Sequence, residues 1–504
     1  APPASAYGAL TDHLLHGGGA LPAHVAQPLL RQAAETAAGL RFFHWELEFP
    51  EVFFDAAGRR LPAAGFDAII GNPPWDMVRG DAGAGSREAA ASMVRFTRES
   101  GAYDASAQGQ VNRYQLFVER GVSLLRTGGR CGLILPAGLL SDHGSAPVRR
   151  LMFSRAAVDG VIAFDNRRAI FPIHRSMRFV VLTATRGTAT HEFGVRFGDT
   201  DAGVLDQADS GTPRWFTVRL GIDLLRRVSG DALSVPELQQ PLDLAILERL
   251  TSLFPPLASA SGWRAEFGRE LNATDDRDIL QPLAGDRQLT AGWPVIEGKL
   301  LHPFAVHAGA ATASVRAADA RGRVGPQVDR PRLAYRDVAS ATNRQTLIAA
   351  VLPAHTVSTH TVFCLRTPLP LRAQHLLCGL FNSWVLNYLV RQRVTTHVTT
   401  AVVERLPVPT AAMAPAAVRV IARLARQLAA GAHEGRQLEG RQHEPRVEGE
   451  QIERHVAPLV ALNTQVARLY QLTRMEYVRV LDTFPRLPPA LRTAALRDFD
   501  DGHR

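Results

Sequence analysis

Phe66-Asp-Ala-Ile-Ile-Gly-Asn-Pro-Pro-Trp75 is the stretch on which the reading of this chain turns. Phe66–Ile70 has the composition of a short strand. Gly71, Asn72 and two prolines follow it at once. Proline lacks an amide hydrogen and has a fixed φ, so Pro73 and Pro74 stop the strand and hold the chain rigid at its carboxyl end. In open α/β sheets, ligands bind outside such strand ends. Asn-Pro-Pro-aromatic arises by chance in well under ~1% of chains of this size at average proline usage. A bare turn is the alternative reading.

The four residues suit one kind of chemistry. The amino nitrogen of adenine delocalises its lone pair into the ring and is a poor nucleophile. Acceptors aimed at its two hydrogens favour sp³ character and free the lone pair. The Asn72 carboxamide oxygen is one acceptor, and the Pro73 main-chain carbonyl, held in direction by its ring, is a second. Pro74 fixes the backbone that carries them. The indole of Trp75 offers a plane on which an extruded base can stack. Such a transfer works by positioning and electrostatics, with no metal and no covalent nucleophile.

Outward from the motif, strands and helices alternate. Residues 25–40 have a helical pattern, and residues 41–54 read as one or two strands with aromatic anchors. Residues 80–109 read as a Gly/Ala/Ser-rich loop. Tyr114, Phe117, Val118, Val122 and Leu125 recur on one helical face, which Gly128-Gly129 is expected to cap. Strands are expected at 130–136, 158–164 and 179–183, with a helix at 146–153. The alternation predicts an α/β layer with a largely parallel sheet. Residues 190–245 read as connecting structure. Residues 250–410 mix short strands with turns and carry seven arginines from Arg316 to Arg344. Helical patterns return at 412–430 and 450–482, around a polar stretch at 431–448 and before a polar tail.

Composition bounds the class. A chain of 504 residues is too long for one hydrophobic core, and about two to four domains are expected. A hydrophobic fraction of 46% with 21% charged residues fits a folded protein. The net charge of +9, nearly all arginine, is compatible with a polyanionic partner or with simple solubility. Cys131, Cys364 and Cys378 are far apart in apolar runs, as buried thiols in a reducing compartment would be, and the cytoplasm is the expected location. No apolar run reaches the roughly 18 residues of a membrane span. The seventeen histidines form no metal-ligating spacing, and no metal site is expected.

Phe66–Trp75 resembles the catalytic motif of adenine-N6-specific DNA methyltransferases, and the wider chain resembles the large enzymes of restriction-modification and phage-defence systems that fuse methylase and target-recognition domain. Phe43–Phe53 is similar to the family's segment before the motif. Asn112–Glu119 and Leu124–Pro136 are similar to the helix and strand after it, and Asp165-Asn166 with Ile170-Phe171 to a later strand end near the base pocket. In the second half the matching segments are Trp293–Lys299, Pro303-Phe304, Arg332 with Arg336 and Asp337, Thr342-Asn343, Leu376–Asn387, Leu406–Pro409 and Tyr470–Pro485.

The resemblance implies a partial Rossmann-like class I methyltransferase domain over 1–245, a mixed α/β target-recognition domain over 250–410 and a helical region over 411–504. It implies S-adenosyl-L-methionine as cofactor and double-stranded DNA as partner, with restriction or defence-system subunits as further partners. Asn72, Pro73, Pro74 and Trp75 would be catalytic. Glu48 and Phe49, with Asn72, would touch the cofactor. Lys299, Arg332, Arg336 and Asn343 would touch DNA. Each has a plainer reading: Glu48 facing solvent, the arginines bridged to acids such as Asp337, and Asn343 capping a helix. The family's glycine-rich cofactor loop has no counterpart, since His16-Gly-Gly-Gly-Ala20 follows no apolar strand. The expectation is that further sequence precedes Ala1. The alternative is a non-catalytic DNA-specificity subunit, or a fragment of a combined restriction-modification enzyme that takes cofactor binding from elsewhere.

Overall fold

The computed structural model describes residues 4–78, 83–207, 216–283, 292–339, 344–394, 396–439 and 450–501. The chain divides into two compact units, residues 1–67 with 124–129 and residues 68–123 with 130–504.

The first unit opens with helices α1 (Ala4–His16) and α2 (Ala23–Leu40). Two short helices follow, α3 (Trp45–Glu48) and α4 (Pro50–Phe53), where strands were expected from the aromatic composition. Helical spacing wins here over the β-propensity of aromatic residues. Trp45 and Phe49, four apart, stack at 5.9 Å between ring centroids. Pro50 occupies the first position of α4, where its missing N–H leaves no hydrogen bond unmade. Phe66 meets the rings of Trp45, Phe49 and Phe53 edge-on at 5.5, 5.6 and 5.6 Å. Gly65 has φ +129°, and a Cβ there would lie 2.5 Å from the Arg126 nitrogen, so only glycine lets these segments approach.

The second unit holds most of a six-stranded sheet. In chain order its elements are β1 (Phe66–Gly71), α5 (Gly83–Glu99), α6 (Arg113–Leu124), β2 (Leu125–Pro136), α7 (Gly138–Ser141), α8 (Ala146–Arg155), β3 (Ala156–Asp165), β4 (Arg178–Arg186), β5 (Glu192–Asp199), β6 (Val218–Gly221), α9 (Ile222–Ser229) and α10 (Pro241–Leu253). The sheet order is β1-β2-β4-β3-β5-β6. Alternate residues Val180, Leu182 and Ala184 of the central β4 are fully buried. At the outer edge, Ile70 of β1 is 91% exposed.

The fold is mixed α/β, but the sheet is not largely parallel. β3 and β5 pair parallel, whereas β4 pairs antiparallel with both β2 and β3, and β6 antiparallel with β5. The connections explain this. From β2 the chain crosses through α7 and α8 to β3, so these strands share a direction. From β3 to β4 it returns through residues 166–177 without a crossover helix, which requires an antiparallel pair. Other local expectations also change. The stretch 80–109 contains α5, the described part of 190–245 holds β5, β6, α9 and the start of α10, and Gly128-Gly129 lie within β2 instead of capping α6.

Short strands then build two four-stranded sheets. They are β7 (Phe267–Gly268), β8 (Gln281–Pro282), β9 (Trp293–Ile296), β10 (Leu301–His302), β11 (Ala305–Val306), β12 (Ala313–Val315), β13 (Arg332–Arg336), β14 (Ala349–Leu352), β15 (Val357–Ser358) and β16 (Val362–Leu365), with α11 (Ala317–Val324) between β12 and β13. One sheet runs β15-β9-β12-β8 and the other β14-β13-β16-β7, while β10 and β11 pair separately. Helices α12 (Leu371–Phe381), α13 (Trp384–Arg391), α14 (Thr400–Val403), α15 (Pro415–Glu439), α16 (Glu450–Leu469), α17 (Arg474–Asp482) and α18 (Pro489–Asp501) complete the unit. The apolar run 376–390 is thus two helices, broken at Asn382-Ser383. The buried Asn382 carboxamide takes the Ala349 N–H and donates to the Ala349 carbonyl, while Asn387 Oδ1 takes the N–H groups of Thr346 and Leu347, each at 2.8 Å. The expected polar tail is α18.

Candidate active site and nucleic-acid interface

β1 carries the chain to Asn72, just past its carboxyl end. Asn72 and Pro74 are exposed, Pro73 is buried and Trp75 is half-buried. The Asn72 side chain has no hydrogen-bond partner among the described residues. Immediately beyond, the backbone is tied down: the Arg113 N–H donates to the Asp76 carbonyl and the Val78 N–H to the Val111 carbonyl, each at 3.2 Å. The Arg113 guanidinium adds an ion pair to Asp76 at 3.2 Å. The stretch 111–113 leads straight into α6, so a helix fixes the strand end.

The same helix holds the preceding turn. Glu119 accepts the N–H groups of Asp104, Ala105 and Ser106 at 2.8, 2.9 and 2.7 Å. Burial pushes this carboxyl up, but the bonds from Ser106, Ala105 and Asp104 outweigh burial and hold its pKa below the usual carboxylate range.

Trp75 belongs to an aromatic cluster. Its ring stacks on Phe179 at 6.0 Å and meets Phe171 edge-on at 5.9 Å, while Phe164 stacks on Phe179 at 5.1 Å. The indole Nε1 is buried and has no hydrogen-bond partner among the described residues. Phe171 is half-buried and packs with Trp75 against the core cluster of Ile162, Phe164 and Phe179, positioned by Asn166. The Asn166 side chain donates to the Phe171 carbonyl at 3.1 Å and accepts the Phe171 N–H at 2.9 Å. An unpartnered carboxamide, a rigid strand end and a ring whose orientation is fixed by two others are therefore contributed by β1, the 166–177 loop and β4.

Glu48 and Phe49 lie in the first unit, both exposed, with Phe49 against Trp45. Among the described residues no strand followed by a glycine-rich loop and helix precedes β1. The described residues thus offer no glycine-rich cradle of the kind expected for S-adenosylmethionine.

The four residues expected to touch DNA have different fates. Lys299 is exposed and paired with Glu297 at 2.5 Å. Arg332 is corrected: its side chain is 1% exposed, clamped by Glu270 at 2.5 and 2.8 Å and donating to the Thr356 carbonyl. A guanidinium fixed inside the fold cannot reach a phosphate or a base edge. Burial works against its charge, but Glu270 more than compensates and the pKa is raised. Arg336 is half-buried at the end of β13, with no side-chain partner among the described residues. Asp337 does not bridge to Arg336; it pairs with Arg269 at 3.0 Å and His397 at 3.2 Å. Arg269, from β7–β16 territory, also lies over the Phe363 ring at 4.9 Å. Sequence reading missed Arg269 and His397, which reach Asp337 only through tertiary structure. Asn343 lies outside the described residues.

Among the described residues no group of three or more His, Cys, Asp or Glu could hold a metal ion. No helix among them is long and apolar enough to cross a membrane.

Several solved structures are similar to this chain. The Type IIL restriction-modification enzyme MmeI in complex with DNA aligns with a TM-score of 0.43 and 10% identity, covering 86% of this chain and 57% of that one. The type IIG restriction endonuclease BpuSI gives 0.32 and 10%, covering 81% and 55%. A putative class I S-adenosylmethionine-dependent methyltransferase from Listeria monocytogenes gives 0.22 and 17%, covering 31% and 45%. The chain spans little more than half the length of the first two. A search of curated proteins gives no match. Residues 11–171 match the family model of the Eco57I restriction-modification methylase.

Proposed function

We propose that the chain is the catalytic-core and DNA-recognition portion of a restriction-modification methyltransferase that methylates N6 of an adenine flipped out of duplex DNA. The observation that carries this is the exposed, unpartnered Asn72 carboxamide beside the Trp75–Phe171–Phe179 cluster at a strand end. Asn72 Oδ1 and the Pro73 carbonyl accept the two amino hydrogens, so that the nitrogen lone pair turns outward. Trp75 receives the face of the base, and Pro74 keeps the acceptors from swinging away. S-adenosyl-L-methionine supplies an electrophilic methyl group when bound. Residues 250–410 present Arg336 and Lys299 to the duplex, and residues 411–504 support them.

The place of β1 at the edge of the sheet supports the idea that a further strand lies alongside it when the cofactor site is complete. That strand belongs to the same polypeptide or to a restriction or defence-system subunit. Asn72→Ala in a methylation-competent parent protein is the test. Transfer is expected to fall by about 10²–10³, the usual loss for one preorganised polar group, while duplex binding changes little. Near-normal turnover would remove Asn72 from the mechanism.

The same edge, with no glycine-rich loop among the described residues, favours a second reading. In it the chain is a DNA-specificity subunit that borrows its cofactor site. Calorimetry of the chain alone with S-adenosylmethionine separates the two, since heat of binding is expected only in the first.

A further inference from the structure

We propose that the 166–177 loop is a phosphate grip for the DNA strand that presents the target base, with Arg168 and Arg175 as the gripping groups. The inference rests on the methyltransferase reading and extends it to a surface outside the recognition region.

The loop is built to keep its shape. Asn166 is fully buried, and its carboxamide bonds to Phe171 in both directions and reaches the carbonyls of Ile173 and His174 at 3.4 and 3.5 Å. His174 Nδ1 and Ser176 Oγ lie 2.7 Å apart and close the turn. Ala169 holds φ +57°, a left-handed conformation costly for a residue with a Cβ, which persists only where neighbouring bonds over-determine it. The backbone of a solvent-facing loop is thus fixed from inside. Its position is fixed too, because Phe171 rests against Trp75.

The charges on this frame are unusual for the sheet that carries it. Arg130, Arg178, Arg196 and Arg219 each have a carboxylate partner, Asp159, Glu237, Asp199 and Glu192. Within the loop, Arg167 is likewise paired with Asp165 at 2.5 Å. Arg168 and Arg175 are exposed and have no carboxylate partner among the described residues. Two guanidinium groups without acids, on a rigid loop touching the motif tryptophan, call for an anion from outside. Phosphate fits the planar donor fork, and a base that stacks on Trp75 brings its own backbone phosphates with it.

The test is equilibrium binding of the whole chain to a mixed-sequence duplex over a range of salt concentrations. Each lost phosphate contact reduces the slope of log affinity against log salt by about 0.9. The double variant Arg168→Ala/Arg175→Ala is expected to flatten the slope by about 1.8, and Arg168→Lys/Arg175→Lys to restore most of it. The wild-type chain is also expected to favour a duplex with one unpaired adenine over a fully paired one, and the alanine pair to lose that preference. A wild-type slope in the alanine pair, with Arg336→Ala still lowering it, would overturn the grip and leave the methyltransferase reading standing. Failure of the wild-type chain to bind duplex at any salt would overturn both. Should the double alanine variant not fold, the single variants and the lysine pair give the same comparison.

Discussion

The strand end at Asn72 and the surface around Arg336 are sites of opposite construction. The first is written in consecutive residues: acceptor, rigid carbonyl and ring follow one another from 72 to 75. The second involves residues far apart in the chain: Arg269 and His397 pair with Asp337, which follows Arg336 directly. A consecutive motif at the end of a strand leaves little for tertiary structure to rearrange. In a dispersed surface, position along the strand decides exposure: residues four apart share a face, yet Arg332 opens β13 buried and Arg336 ends it half-exposed. Arg332 and Arg336 share β13, and only Arg336 is available to a ligand.

The sharpest way to break this contrast is at Arg332. Glu270→Ala leaves a buried guanidinium without its acid, and removing one partner of a buried pair costs about 3–5 kcal/mol. Chemical denaturation should show a lower midpoint with an unchanged slope. Arg332→Met/Glu270→Leu removes both charges and should recover most of the loss. If Glu270→Ala instead leaves stability intact and weakens DNA binding, Arg332 is a surface residue after all, and both sites present their polar groups to the ligand alike.

The next largest effect is expected at Glu119, which stiffens the consecutive site. Its carboxylate takes three backbone N–H groups, and Glu119→Gln offers a neutral acceptor and turns an NH₂ toward one or more of those donors. Hydrogen bonds to a charged group are worth about 1.5–3 kcal/mol in total effect of this kind. The sign of the pH dependence follows from the lowered pKa in the fold. The stabilisation is present above the unfolded value of about 4.3 and is lost as pH falls through the lower folded value. Thermal melts should therefore show wild type approaching Glu119→Gln in stability toward acid, with the gap widest near neutrality. A constant gap at all pH values would mean that the charge is not what holds residues 104–106.

What could be read beforehand divides along the same line. The strand at 66–70, its abrupt end and the later strands at 158–164 and 179–183 followed from local runs of apolar residues, and each lies within an observed strand. Strand direction did not, because it depends on whether a helix intervenes, and the 166–177 stretch looks much like other polar connections until its Asn166 is seen buried. The aromatic segment 41–54 misled because Phe and Trp favour strands in general, while here their four-residue spacing packs rings along a helical turn. Phe171 was legible only through its resemblance to a strand end near a base pocket; nothing in its own neighbourhood distinguishes a core phenylalanine from one that meets Trp75. Arg269 and His397 had no local signal at all, since the property that matters is their shared carboxylate, Asp337.

The smallest expected effect separates two cations of residues 250–410, the half-buried Arg336 and the exposed Lys299. Arg336 has no acid partner among the described residues, whereas Lys299 is paired with Glu297 and would have to give up that contact to bind phosphate. An exposed pair of this kind is worth only about 0–1 kcal/mol, so Lys299 loses little on breaking it, but its net gain on binding is smaller by that amount. Arg336→Ala should weaken duplex binding by up to about tenfold and flatten the salt slope by about 0.9 if it meets a phosphate. If it reads a base edge instead, the loss should be confined to the recognised sequence, at about 1–3 kcal/mol, with the non-specific slope unchanged. Lys299→Ala should cost less in either case. A larger loss at Lys299 than at Arg336 would mean that the Glu297 pair opens on DNA, and that freedom from an acidic partner does not predict which cations of a dispersed surface do the binding.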